Sequence, residues 1–238
     1  GVRGGEVVAS GIKQAGSTTQ LTGAAPSGGR YGQAIVIDGG ANGIVNVGGK
    51  LDASSATSIG GNVGITGELI MLDGAKIDAS GLTGGGNIAV GYSGEGASRV
   101  IGADRIIVKP STVLKADALE SGDGGRIVFW SNLATDFYGD LSAKGGALSG
   151  DGGFLEISSK DQVGFAGTAD ASAANGAVGQ LLLDPKNITI STFVFPPGNG
   201  GVANPNLLTF ANQSTSSLTI SPTFLTTTLN TGTAVILK

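Results

Sequence analysis

The stretch Gly122-Asp-Gly-Gly-Arg-Ile-Val-Phe129 recurs 28 residues further along the chain as Gly150-Asp-Gly-Gly-Phe-Leu-Glu-Ile157. Each copy is followed by a short alternating phrase, which is Leu141-Ser-Ala-Lys144 after the first and Ala169-Asp-Ala-Ser172 after the second. Looser copies of both phrases extend in both directions. A period of this length indicates stacked supersecondary units, each of which buries its apolar face only against its neighbours.

Each repeat contains segments with apolar residues at alternate positions, which is the period of a β-strand. The opening phrase supplies two apolar columns, which are Val63, Ile88, Ile127, Leu155 and Leu181, and Ile65, Val90, Phe129, Ile157 and Leu183. The closing phrase alternates in the same way, and a third strand is predicted between the two phrases. Three strands of about five residues with short corners fill about 25 residues. We therefore predict an all-β parallel β-helix, a solenoid with three strands per rung and about 25–28 residues per rung.

The repeat also predicts how the chain is divided. Residues 1–30 are expected to form an irregular first rung or a cap, and residues 31–184 the regular rungs. One step of the repeat is about a dozen residues too long, which predicts an insertion loop near 91–103. Residues 185–238 are rich in Thr, Ser and Asn, and we expect them to continue the β-helix as strands. Both ends read as if cut from a longer protein.

Composition narrows the possible chemistry. The 238 residues include no Cys and no His, which removes disulfides, thiolate metal sites and the commonest general base. The net charge is −4 and only 13% of the residues are charged, so no nucleic-acid partner is expected. No apolar run is long enough for a membrane-spanning helix. No cofactor and no metal are predicted.

Aspartates on the outer face of the closing strand are the first candidates for catalysis. Asp52 and Asp78 lie on adjacent predicted rungs, about 4.8 Å apart, and Asp170 lies in the same column. Glycosidases need two carboxylates at a fixed separation, so these residues suggest a polysaccharide hydrolase or lyase. The absence of His and of clustered Asp pairs favours solvated strand-face aspartates instead.

The Gly-Asp-Gly-Gly phrase suggests a second possible site, for calcium. Calcium-binding β-rolls carry a glycine- and aspartate-rich nonapeptide in tandem. Here the period is close to 27 residues and no tandem nonapeptide is present. The phrase is therefore interpreted as a tight corner.

Ligand or partner contacts are predicted at two places. The insertion loop offers Tyr92, Glu95 and Arg99, because insertions in solenoids often carry binding sites. Trp130 and Phe154 are expected to face outward in equivalent columns on successive rungs, where they would form a sugar-stacking platform or be covered by a loop.

The stretch Leu181-Leu-Leu-Asp-Pro-Lys-Asn-Ile-Thr-Ile190, together with Gly49-Lys-Leu-Asp-Ala-Ser54 and the Gly-Asp-Gly-Gly openings, resembles the filamentous-haemagglutinin-like exoproteins of bacterial two-partner secretion. The resemblance covers about residues 40–238. It implies a right-handed parallel β-helix passenger that is exported through an outer-membrane partner. It also implies a role in adhesion, aggregation or surface structure. Asn204-Pro-Asn206 matches a motif of the family's secretion domain but follows the rungs, so we assign this segment to the shaft.

These observations predict a non-enzymatic, secreted segment at the bacterial cell surface that acts as a stiff rod. The expected partners are further rungs or other copies of the chain, surface glycans or cell receptors, and the outer-membrane export partner. A carbohydrate-active enzyme on the same scaffold is the alternative. A subunit that polymerises into a fibre through its terminal rungs is a third possibility.

Overall fold

The computed structural model describes residues 2–3, 6–10, 20–22, 34–40, 42–93, 100–186, 188–190, 218–220 and 222–238. The strands of the first part of the chain are β1 (Val2–Arg3), β2 (Glu6–Ser10), β3 (Gln20–Thr22), β4 (Ala34–Asp38), β5 (Ile44–Val47), β6 (Lys50–Asp52), β7 (Asn62–Thr66), β8 (Leu69–Leu72), β9 (Lys76–Asp78), β10 (Asn87–Val90), β11 (Tyr92–Ser93) and β12 (Val100–Ile101). The remaining elements are β13 (Arg105–Val108), β14 (Val113–Lys115), β15 (Arg126–Ser131), β16 (Ala134–Phe137), β17 (Asp140–Ser142), β18 (Phe154–Ser159), β19 (Gln162–Phe165), β20 (Thr168–Asp170), β21 (Gln180–Asp184), β22 (Ile188–Ile190), β23 (Leu218–Ile220), helix α1 (Pro222–Asn230) and β24 (Ala234–Leu237).

The strands form three long sheets, which we call A, B and C. Sheet A has the order β1-β2-β4-β7-β10-β15-β18-β21-β24, sheet B the order β22-β23-β19-β16-β13-β8-β5, and sheet C the order β20-β17-β14-β9-β6-β3. Within the described residues every pairing in these sheets is parallel except that of β1 with β2. Five complete rungs, from β4 to β20, contribute one strand to each sheet. The fold is therefore the predicted parallel β-helix with three strands per rung.

The register agrees with the apolar columns expected from the sequence. Ile88 pairs with Val63 on one side and with Ile127 on the other, and Ile127 pairs with Leu155. These inward side chains are at most 1% exposed. They belong to one continuous cluster of buried residues that runs from Ile35 to Leu183. Each rung thus contributes a layer to a common core, as stacked repeats require.

Aromatic rings pack against one another in part of this core. The Phe129 and Phe137 ring centroids lie 5.3 Å apart in an edge-to-face arrangement, and Phe137 stacks on Phe165 at 6.1 Å. Phe137 and Phe165 are register partners in sheet B. The repeat therefore places side chains of the same type on top of one another. The three rings together link sheets A and B across the interior.

The long step of the repeat contains a hairpin where the insertion was expected. β11 and β12 pair antiparallel, with Tyr92 opposite Ile101, between the sheet A and sheet B strands of the third complete rung. Tyr92 is only 5% exposed, so this predicted contact residue is buried at the base of the hairpin. Glu95 and Arg99 lie outside the described residues.

The last part of the chain differs from the strand-only continuation that the sequence suggested. β23 lies between β19 and β22, helix α1 follows, and β24 then joins sheet A beside β21. Leu225 of the helix packs against the core. Helix α1 is rich in Thr, whose β-branched side chain favours strands, so residue propensities alone predict a strand here. Pro222 at the first helical position and Gly232 after the last turn are nevertheless signals for the start and the end of a helix.

Side chains after α1 take the place of a strand at the end of sheet C. The Thr233 Oγ1 atom accepts a hydrogen bond from the Ala171 backbone nitrogen at 2.7 Å. The Thr231 hydroxyl donates to the Ala169 carbonyl oxygen at 3.4 Å. Backbone groups on the outer edge of sheet C at β20 and the corner after it are thus satisfied without a further strand.

Candidate functional site

The closing phrase of the repeat ends each sheet C strand with a hydrogen-bonded corner. In three copies an aspartate Oδ1 accepts from the backbone nitrogen two residues on: Asp52 from Ser54, Asp78 from Ser80, and Asp170 from Ser172. These distances are 3.1, 2.9 and 3.0 Å. A carboxylate held this way stops the strand and satisfies the turn, as short polar side chains commonly do.

The aspartates that suggested catalysis therefore have a structural role. Asp52 and Asp78 are register partners on adjacent rungs, as predicted, whereas Asp170 lies three rungs further along from Asp78. Burial alone would raise the pKa of Asp52, but hydrogen bonds from Lys50 and Ser54 outweigh it and hold that pKa below its ordinary value. A carboxylate with a lowered pKa is ionised at neutral pH and is a poor general acid.

The opening phrase forms a shallow groove that crosses the rungs along the corner before sheet A. It takes in the corners at 59–62, 85–87, 123–126, 151–154 and 177–180. The first residues of five successive sheet A strands, β7, β10, β15, β18 and β21, stand in one line along it, in register from rung to rung. This line, which we call the groove ladder, consists of Asn62, Asn87, Arg126, Phe154 and Gln180.

Paired glycines line the groove because neighbouring rungs approach too closely for any side chain. A Cβ atom on Gly125 would lie 2.1 Å from the carbonyl oxygen of Gly86. A Cβ on Gly153 would meet the Gly125 carbonyl oxygen at the same distance. The groove therefore exposes bare backbone between its polar side chains.

The aspartates of the opening phrase connect successive corners. The Asp123 Oδ1 atom accepts from the Asp151 backbone nitrogen at 2.8 Å, and the Asp151 Oδ1 atom accepts from the Ala177 nitrogen at 2.7 Å. Both side chains are exposed in the groove, and each uses one oxygen in the hydrogen bonds described. The corner interpretation of Gly-Asp-Gly-Gly thus has a geometric basis. No cluster of three or more His, Cys, Asp or Glu side chains suited to a metal ion occurs in the described ranges.

Arg126, at the centre of the groove ladder, has two side-chain partners. Its guanidinium carbon lies 4.5 Å from the Phe154 ring centroid, and its Nη2 atom lies 3.3 Å from Oε2 of Glu156. Glu156 is only 4% exposed and also accepts a hydrogen bond from the Ser158 hydroxyl at 3.0 Å. Cation–π stacking and the ion pair together fix the orientation of the guanidinium group.

Trp130 and Phe154 face outward on sheet A, but the expectation of equivalent columns is wrong. Phe154 is the register partner of Arg126, and Trp130 is the partner of Ser158. Four residues along a strand separate the two columns, a distance of about 13 Å. The two rings therefore do not form one stacking platform, and Phe154 stacks with Arg126 instead.

A second polar cluster, on the outer face of sheet B, could not be located from the sequence. The Oδ1 atom of Asp136 lies 2.5 Å from the position that a Cβ of Gly164 would occupy, and the Tyr138 hydroxyl lies 3.7 Å from it. Burial raises the pKa of Asp136 to about 6, against the opposing effect of Arg105. Burial and the nearby Asp136 raise the pKa of Tyr138 above its ordinary value. Strand alternation predicts that Asp136 points outward, but nothing in the neighbouring sequence predicts that it is buried there.

Comparison with known proteins does not assign the chain to a family. No protein-family model matches the chain, and no curated protein matches it significantly. In the part of the chain that the structure describes, no helix has the length and apolar character needed to cross a membrane.

Proposed function

We propose that this chain is a non-enzymatic rod segment of a secreted bacterial surface protein, exported through an outer-membrane partner and used in adhesion, aggregation or fibre formation. One observation carries the proposal: the carboxylates that recur in both repeat phrases hold backbone corners together. Aspartates that recur at these corners, in the closing phrases of three rungs and the opening phrases of two, indicate selection for stacking. The resemblance of the repeat to filamentous-haemagglutinin-like exoproteins supports the same role and location.

The mechanism of such a segment is geometric. A core shared by all five complete rungs bends little, since among the described residues all their strands except β5 and β20 are hydrogen-bonded to strands on both sides. The outer faces then present grooves and side chains at fixed positions along the axis. Adhesion would use this rigid display of surface.

Imaging and activity measurements test the proposal together. Negative-stain micrographs of the native protein should show straight rods or filaments at the cell surface. The purified chain should release no reducing ends or unsaturated products from pectin, alginate or neutral glycans. Turnover of any of these polymers would contradict the non-enzymatic role, and a protein retained inside the cell would contradict the location.

The Asp136 cluster supports one alternative, a polysaccharide hydrolase or lyase. A carboxyl group with a pKa of about 6 is suited to general acid–base catalysis, and Tyr138 lies beside it. If the chain turned over a polysaccharide, Asp136→Asn should abolish activity. Asp78→Asn should not, because Asp78 is committed to its corner. The reverse result would assign catalysis to the sheet C aspartates.

Association between copies is the partner interaction that we propose for the rod. β24 pairs with β21 on one side, and no described strand pairs with its other edge. Val235 is partly buried, and Leu237 is 36% exposed although its register partner Leu183 is fully buried. An unpaired strand edge beside exposed apolar side chains favours strand addition by a second copy.

Sedimentation velocity over a range of concentrations tests this contact. The wild-type chain should form larger species as concentration rises, and Ile236→Lys should weaken their formation because it charges the outer face of the edge strand. Leu148→Lys is the matched control, since Leu148 is 67% exposed in the corner between β17 and β18. A monomeric wild type at all concentrations would exclude the contact, as would equal effects of the two variants.

A further inference from the structure

We propose that the groove before sheet A binds a neutral, hydroxyl-rich polysaccharide that lies parallel to the solenoid axis. This inference deepens the proposed adhesive function and rests on it for its biological meaning. The direction follows from the fold, because the groove crosses successive rungs and repeats its lining about every 4.8 Å. An extended polymer along the axis would meet equivalent backbone at every rung.

The lining offers the mixture of groups that sugar hydroxyls require. The amides of Asn62, Asn87 and Gln180 each donate and accept, and they make no side-chain hydrogen bond to any described residue. Asp123 and Asp151 each have one carboxylate oxygen in a backbone hydrogen bond, which fixes the carboxylate and leaves its second oxygen for a ligand. The groove therefore offers both donors and acceptors along its length, and its two carboxylates are already held in place.

Two further features of the groove suit the ring of a sugar. Glycine backbone forms much of the surface between the side chains, so a bulky ring can approach closely. The Phe154 ring, stacked with Arg126, supplies an apolar element of the kind that carbohydrate sites use for the C–H faces of sugars. Together they describe a site for a polar ligand with flat apolar patches.

The charges of the groove disfavour an anionic ligand. Asp123 and Asp151 are exposed in it, whereas Arg126, the one cationic side chain among its described lining residues, is paired with Glu156. A polyuronate or sulfated glycan would meet uncompensated carboxylates and should bind less well. A basic peptide would gain from the two aspartates, so it is the competing occupant that the titration below has to exclude.

Calorimetric titration of the intact chain with a panel of soluble neutral glycans, including β-glucan and galactan oligosaccharide series, tests the proposal. At least one neutral series should bind, with an affinity that rises with chain length until the groove is filled. Polygalacturonate and oligolysine are the charged comparisons and should bind more weakly. A panel without any neutral binder, or one in which a charged probe binds better, would overturn the proposal.

The double variant Asn87→Ala, Gln180→Ala should weaken binding by at least tenfold, because two hydrogen-bonding positions are lost along one ligand. The matched control is Asn46→Ala, Gln162→Ala, which removes the same residue types from the outer face of sheet B. Equal affinities of the two double variants would place the ligand elsewhere. The titration needs neither a cell surface nor a filament. A negative titration would therefore contradict glycan binding in the groove without contradicting the proposed rod function. The imaging experiment tests the rod function alone.

Discussion

The Oδ1 atom of Asp117 lies 2.8 Å from the backbone nitrogen of Lys144, one rung further along the solenoid. In most copies of the closing phrase, the equivalent nitrogen is satisfied by an aspartate of its own rung. The copy that contains Lys144 has Ser142 at that position, and Asp117 of the preceding rung supplies the missing acceptor. Asp117 accepts from the Ser142 hydroxyl as well. In this copy the corner is therefore capped by an aspartate of the preceding rung.

This exchange predicts a rescue between two rungs. Asp117→Ala should lower the free energy of unfolding by about 1–3 kcal/mol, since it leaves a backbone N–H at a partly buried corner without its acceptor. Adding Ser142→Asp should restore most of this loss, because an aspartate there can cap Lys144 as Asp78 caps Ser80. Urea unfolding of the single and double variants measures the coupling.

Ser142→Asp in the wild-type background is the control for the rescue. Its carboxylate would lie against that of Asp117, so it should destabilise the protein at neutral pH by like-charge repulsion. Additive effects of the two substitutions would show that the corner does not depend on this carboxylate.

The glycine corners predict a contrast between two substitutions to alanine. Gly125→Ala would place a Cβ 2.1 Å from the Gly86 carbonyl oxygen, which forces adjacent rungs apart and should cost several kcal/mol. A Cβ on Gly64, in the middle of β7, would meet nothing within 4 Å, so Gly64→Ala should be neutral or stabilising by about 0.5–1 kcal/mol. Thermal unfolding of both variants measures this contrast. An equal loss of stability in the two variants would mean that the spacing of the rungs does not require glycine at the corner.

The sequence was sufficient for the solenoid because the fold repeats a local rule. Alternation placed Ile88 and Ile127 inward, and the period aligned them on neighbouring strands, as the register shows. The β11–β12 hairpin lies at a break in the period. Such features need no knowledge of distant residues, since each rung contacts only its neighbours.

Other features depend on information that the repeat does not carry. Helix α1 interrupts the pattern once and has a β-branched composition, so tertiary packing of Leu225 outweighs the local preference. Strand alternation is enough to place the groove ladder outward, but the corner groove beside it exists only when the rungs are stacked. The burial of Asp136 likewise depends on its neighbours across the rungs, among them Gly164 of the next rung.

The inward register predicts a large effect for one core substitution. Ile127 is fully buried between Ile88 and Leu155, and Ile127→Asp would place an unpaired carboxylate in the core. The variant should lose several kcal/mol of stability or fail to fold. Asn62→Asp, at an exposed position on the same sheet, controls for the added charge. A variant with wild-type thermal stability would contradict the register.

The raised pKa of Asp136 predicts that its side chain makes stability depend on pH. The group has a pKa of about 6 in the folded protein and an ordinary value of 3.8 when exposed. Below about pH 4 it is protonated in both states and its ionisation costs nothing. As pH rises from about 4 to 6 the unfolded state loses its proton first, so burial of this group destabilises the folded state by up to about 3 kcal/mol above pH 6.

Asp136→Asn removes this titration while keeping the size of the side chain. The difference in unfolding free energy, variant minus wild type, should therefore increase between pH 4 and pH 7.5, by up to about 3 kcal/mol. Comparing the two pH values cancels any pH-independent effect of the amide itself. Asp140→Asn, at an exposed position in β17, controls for the loss of one negative charge and should give a smaller change. Parallel pH profiles for wild type and Asp136→Asn would show that the carboxyl group is solvated in the folded protein, and the same result would weaken the case for Asp136 as a general acid.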